Sequence, residues 1–219
     1  FIEIAGAIKG MPKVMWQLGL VYLFQWYALF VYWQFASLSV AQTIFGIPNG
    51  SNVQSHPAFT KAISFTGLLN ATYNIVTFIV ALILMRLLSK FAAYKVHSVA
   101  LFTAAIGLMN FAYTSNEQIQ LVNIIGLGIA WASIMGVPYL MVVKELPKEK
   151  YGVYMGIINM MIVVPMLLET ISFGPIFHYV LAEVPARAIV FSSCLFGIAS
   201  LLTWRLFKPK SLLSEKTDS

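Results

Sequence analysis

The 219 residues contain one cysteine, Cys194, so no internal disulfide can form, and its place in an apolar run marks it as a packing residue. Charge is scarce as well. Charged side chains make up 10% of the sequence, against about 25% in a soluble domain. A surface with so few charges is poorly solvated by water, which leaves the lipid bilayer as the expected solvent. None of the three histidines has a second ligand at metal-binding spacing, so neither a metal nor another cofactor is expected. His56 and His97 are assigned to connectors and His178 to the outer end of an apolar run. Gly-x-Ser-x-Gly is also missing, and no histidine is expected at mid-span to serve as a base, which argues against an enzyme. The net charge of +6 is not gathered into a patch with interleaved aromatics, so nucleic acid is not an expected partner. The opening FIEIAGAIKGMPK has no initiator Met and lacks the charged-then-apolar order of a signal peptide, so the chain is expected to be a fragment or one half of a longer protein.

Hydrophobic residues, by contrast, make up 59% of the sequence. They fall into six runs, each near the roughly 20 apolar residues that span a bilayer as a helix. The runs are Val14–Ile44, Ala62–Leu88, Val96–Tyr113, Ile119–Val143, Tyr151–Val180 and Ala186–Phe207. The expected fold class is therefore all-α, a polytopic membrane protein. Residues 1–13 form a leading segment, 14–207 a six-helix transmembrane bundle and 208–219 a polar tail. Of the 14 Lys and Arg, only Lys61 and Arg187 fall on one side of the six alternating spans. The positive-inside rule then puts both ends of the segment in the cytoplasm of a plasma or bacterial inner membrane. The connector over 46–60, GIPNGSNVQSHPAFT, is an external loop in which Asn49-Gly50-Ser51 fits a glycosylation acceptor.

Polar residues inside the runs are few. In the first run, Tyr22, Trp26, Leu29 and Trp33 follow one another by four, three and four, which aligns them on one helix face with Gln25 beside it. Indole faces stack on the C–H faces of sugars and amides bond sugar hydroxyls, so Gln25 and Trp26 are candidates to line a carbohydrate site. Trp16 and Tyr22 are read as interfacial aromatics. In the second run Thr66, Asn70, Tyr73, Asn74 and Thr77 form a polar stripe, from which Asn70 and Asn74 are the candidates for substrate contact. In the fourth run Trp131 and Ser133 are placed to reach the cavity, and Trp131 with Asn159 of the fifth run completes the candidate set.

Gly128, Ala132 and Gly136, and again Gly152 and Gly156, are small residues one turn apart and report close helix packing. Pro138 and Pro165 remove backbone donors and should kink their helices. Glu169, the one acidic side chain well inside an apolar run, costs roughly 2.5–3.5 kcal/mol at a helix centre. That penalty favours protonation, a partner or a wet position, so Glu169 is the candidate for cation coupling. It lies within about 80° of Asn159 around the helix axis.

The run over 128–165, GIAWASIMGVPYLMVVKELPKEKYGVYMGIINMMIVVP, resembles the fourth and fifth helices of the C-terminal half of sugar–cation symporters. These are the sucrose-transporter-like and glycoside–pentoside–hexuronide groups of the major facilitator superfamily. The matching features are Ser133 and Val137-Pro138-Tyr139, then Gly152, Gly156, Asn159 and Val164-Pro165, then Gly174-Pro175; FQWYALFVYW (Phe24–Trp33) is similar to the bacterial members. Met166 stands where many relatives have Gln, and the basic connector after the second run keeps Arg86, Lys90 and Lys95 without the usual glycine and aspartate.

The resemblance implies a twelve-helix fold of two six-helix halves, with a sugar or glycoside carried between them by alternating access. A coupling cation, expected to be a proton, and an N-terminal six-helix half of the same transporter would be its partners. Two other classes fit the same sequence, a half-size carrier acting as a dimer and a membrane scaffold that transports nothing.

Overall fold

Backbone amides that meet no water must bond one another, and apolar runs of this length do so as helices. The computed structural model of the chain describes residues 8–48 and 52–207, and the regular structure among them is all helical. Helix α1 spans Lys13–Thr43, α2 Phe59–Lys90 and α3 Ala93–Tyr113. Three short helices follow, α4 (Glu117–Asn123), α5 (Ile125–Ile134) and α6 (Val137–Val142). Last come α7 (Tyr151–Pro175), continued by a wider turn over Ile176–Val180, and α8 (Pro185–Phe207). By length and composition, five of these helices are able to cross a membrane, namely α1, α2, α3, α7 and α8. That marks the chain as a membrane protein.

The run expected as one helix over Ile119–Val143 is instead broken twice. Asn116 caps α4 by accepting from the backbone N–H groups of Gln118 and Ile119 at 2.9 and 3.1 Å, and α4 stops at Ile124. After α5 the chain leaves helical geometry at Gly136, with φ −136°. Pro138 then has no N–H to return to the carbonyl four residues back, so a new helix begins around it. Pro165 behaves differently: α7 continues through it as helix to Pro175, so the kink expected there does not end the element. The glycosylation acceptor at Asn49, the polar tail and most of the leading segment lie outside the described residues.

Paired side chains fix the helix directions. Ser98 donates to the carbonyl of Ser200 and Ser193 to that of Ala105, so α3 and α8 run antiparallel. Tyr27 meets Ser172 and Gly19 faces Met161, so α1 and α7 run parallel. This alternation gathers Lys13, Arg86, Lys90, Lys95, Lys148, Lys150 and Arg205 at one end, with Lys61 and Arg187 at the other.

Helix α8 packs between α1 and α3, α5 packs between α3 and α2, and α7 rests mainly on α1. Hydroxyls bond across these seams: Ser192 donates to the Ala28 carbonyl at 2.6 Å and Thr77 to that of Gly128 at 3.0 Å. Between lipid-solvated helices such bonds and close packing, rather than the hydrophobic effect, hold the bundle together. Cys194, expected in the packing, is exposed on α8.

The seam between α3 and α5 needs glycine. A methyl group on Gly107 would sit 2.3 Å from the carbonyl oxygen of Asn123, and one on Gly126 2.2 Å from that of Thr103. Neither backbone can yield without parting the helices. Gly107→Ala should therefore destabilise the fold by about 1–3 kcal/mol, read as a lower unfolding midpoint in detergent. Gly152→Ala is the control. Nothing lies within 4 Å of a methyl group there, so the better helix former should leave the midpoint unchanged or raise it.

Candidate functional site

Helix α1 is the polar axis of the bundle. Among the described residues, six buried side-chain atoms have no hydrogen-bonding partner, and five of these belong to α1: Tyr22 Oη, Gln25 Nε2, Trp26 Nε1, Ser39 Oγ and Gln42 Oε1. The first three come from one helix face, since positions 22, 25 and 26 are related by three and four residues. All three side chains are deeply buried, with Trp26 at 7% exposure. Each can donate a hydrogen bond, and a buried donor left unmet is costly. This cluster was half legible, because Gln25 and Trp26 were expected to line a site while Tyr22, expected at the membrane interface, lies inside with them.

Aromatic rings extend the cluster. Trp26 meets Trp131 of α5 edge to face with ring centres 6.0 Å apart, and Trp131 meets Trp33 at 5.6 Å. Tyr22 closes the other side of Trp26 at 6.2 Å. Trp131 is half-buried and Trp33 exposed, so the aromatic chain runs from the interior of the bundle to its open face.

Gln25 also anchors a second group. Its Oε1 lies 3.0 Å from Nε2 of His97, and Nδ1 of His97 lies 2.9 Å from Oγ of Ser133. All three side chains are fully buried and come from α1, α3 and α5. Since the amide oxygen only accepts, neutral His97 donates from Nε2 and accepts the Ser133 hydroxyl proton at Nδ1. His97 was expected in a connector; it lies instead one turn inside α3. The clue in the sequence was small: Tyr94 and Ser98 beside it continue the apolar and small-residue pattern of the following helix. Whichever way the Gln25 amide is turned, one of its two groups remains over.

The remaining candidates separate. Asn70 accepts from the Tyr32 hydroxyl at 3.4 Å and so faces α1. Asn74, one turn on, is exposed and bonds back to the Asn70 carbonyl at 2.7 Å. The stripe on α2 thus splits: Thr66 bonds its own helix, Thr77 also bonds α5, and Asn74 points outward. Asn159 is exposed on α7, where its Oδ1 accepts from Tyr139 of α6 at 3.2 Å.

Glu169 looks the other way, toward α1. It is 0% exposed, and Oε2 accepts from Nε2 of Gln34 at 2.8 Å, while Oε1 is the sixth unpartnered atom. Its depth was legible in the sequence, but the amide that holds it was not. Among the described residues no group of His, Cys, Asp and Glu is able to hold a metal ion.

The structure therefore brings together Gln25, Trp26, Trp131 and Ser133, with His97 and Tyr22 added. Asn70 lies next to this group through α1, Glu169 forms a separate pair with Gln34, and Asn74 and Asn159 sit on the outer surfaces of α2 and α7. Almost none of the apolar window of α2 is buried within the chain, whereas over half of that of α3 is. No family model, curated protein or solved structure matches the chain.

Proposed function

We propose that the chain is the C-terminal half of a secondary transporter that moves a sugar or glycoside, coupled to a proton or another cation. The carrying observation is the cluster of unmet donors on α1, Tyr22 Oη, Gln25 Nε2 and Trp26 Nε1, beside the rings of Trp26 and Trp131. A polyhydroxylated ligand supplies both things this cluster lacks, acceptors for the donors and C–H faces for the rings. A purely structural core would pair those donors, since an unpaired polar group in a dry interior is a cost with no return.

The interrupted segment α4–α6 is counted as the sixth span. The open faces of α2 and α7, with Asn74 and Asn159, then meet an N-terminal six-helix half, and alternating access opens the buried α1 cluster toward that half. The basic end of the bundle is cytoplasmic under this reading.

Uptake of labelled disaccharides into vesicles from cells making the whole protein tests this. Accumulation above the outside concentration is expected with an imposed proton gradient, and only equilibration when the gradient is collapsed. Accumulation driven by sodium instead would name another cation. Equal equilibration under both gradients would make the protein a uniporter, and no uptake of any glycoside would return the scaffold reading. If uptake occurs with this chain alone, the half-size carrier replaces the two-half transporter.

A further inference from the structure

A trough of about 380 Å³ opens between α2, α3 and α5, and Ser133, the partner of His97, is among its lining residues. Apart from Ser133 and Lys95 its walls are mainly apolar: Val80, Leu84 and Leu87 descend α2 to Phe91 just past its end, faced by Val99 of α3 and Ile129 of α5. From Val80 to the end of α2 at Lys90 the wall is about 15 Å of helix. That is close to the depth of one leaflet, half of a hydrocarbon core about 30 Å thick.

One charged side chain lines the trough, Lys95, at the basic end of the bundle. Lys95 is exposed and makes no ion pair among the described residues. Trp204, which meets Tyr94 edge to face with ring centres 5.9 Å apart, closes the same end. Lys90 and Arg205 are sequence neighbours of the lining residues Phe91 and Trp204, and none of the lining residues is acidic.

We infer that this trough is a binding site for an anionic phospholipid. One acyl chain lies along Leu84, Leu87 and Val99, and the phosphate sits on Lys95. Length and charge select this occupant. A neutral lipid fills the apolar walls equally well but leaves the ammonium without a counter-charge. A protein helix finds a groove only one leaflet deep. An amine at the headgroup level attracts anionic lipid, and Trp204 at the same level is suited to the interface because its ring is apolar and its N–H polar. The inference needs only the membrane setting and is independent of what the protein transports.

Trp204 reports on its own site. The whole protein is reconstituted in phosphatidylcholine vesicles that contain either phosphatidylglycerol or phosphatidylcholine with acyl chains brominated near the headgroup. The Trp204 signal is the difference between the wild type and Trp204→Phe. Brominated phosphatidylglycerol should quench it at an about fivefold lower mole fraction than brominated phosphatidylcholine, the equivalent of about 1 kcal/mol for one cation near the surface.

Lys95→Gln should erase the preference, Lys95→Arg should keep it, and raised ionic strength should weaken it. Equal quenching by the two lipids in the wild type, or a preference that survives in Lys95→Gln, would leave only unselective lipid contact and overturn the site. Absence of quenching by either lipid would mean that protein covers the trough, and would overturn it too.

Discussion

Leucine in place of His97 should lower the stability of the bundle by about 1–3 kcal/mol, the largest effect expected from any single polar residue in its interior. Among the described residues the imidazole alone joins α1, α3 and α5 through side-chain hydrogen bonds, by its contacts to Gln25 and Ser133. Leucine fills much of the same volume, so packing changes little and the loss is of two hydrogen bonds. In water each orphaned partner would cost about 1–3 kcal/mol. Within a membrane the figure is smaller, about 0.6 kcal/mol per interhelical bond on average and about 1.7 at most, because the separated helices also find partners.

Two such bonds set the expected range. Denaturation in mixed micelles measures it, and Ser133→Ala should show roughly half the loss. A double-mutant cycle between Gln25→Leu and His97→Leu isolates the pair. Additive losses would mean that the two side chains lie side by side without holding each other, and that the network is not what joins the helices.

How this network escaped the sequence, while the spans did not, has a physical explanation. A span is a local property: enough apolar residues in a row leave the backbone no choice but a helix, so Lys13–Thr43 or Pro185–Phe207 can be read within a few residues. The breaks at Ile124 and Gly136 depend on more. Gly126 and Gly128 let α5 approach α3 and α2 closely enough to bond Thr103 and Thr77, and those contacts lie 23 and 51 residues away in the chain. His97 is harder still, because Gln25 lies 72 residues before it and Ser133 36 after. No spacing rule connects three helices.

The direction of a polar side chain is only partly local. Asn70 and Asn74 share a stripe on α2, yet one faces Tyr32 and the other the outside, because α2 touches α1 along a narrow strip. Asn159 and Glu169, expected to look in related directions, are exposed and buried respectively, since α7 rests on α1 only along the side that carries Glu169. The aromatic and amide pattern of α1 was the exception. Its periodicity put Trp26 on the aromatic face with Gln25 beside it, and Trp131, expected to reach the same cavity, stands against Trp26.

Under the proposed transport function, Glu169→Gln should abolish accumulation of substrate while leaving its exchange intact. The substitution is nearly isosteric, and the amide oxygen of the new side chain still accepts from Gln34 Nε2, so the contact between α1 and α7 survives. What disappears is the capacity to take up and release a proton within the bundle. A gradient of one pH unit is worth about 1.4 kcal/mol per proton, enough for about tenfold accumulation with one proton per sugar.

The wild type should approach that ratio and the variant should stay near one. Counterflow of labelled against unlabelled sugar needs no net proton movement and should continue in the variant, which separates uncoupling from misfolding. Loss of counterflow together with accumulation would move Glu169 from coupling into substrate binding. Full accumulation in the variant would remove it from the mechanism and leave the buried carboxyl as a structural partner of Gln34.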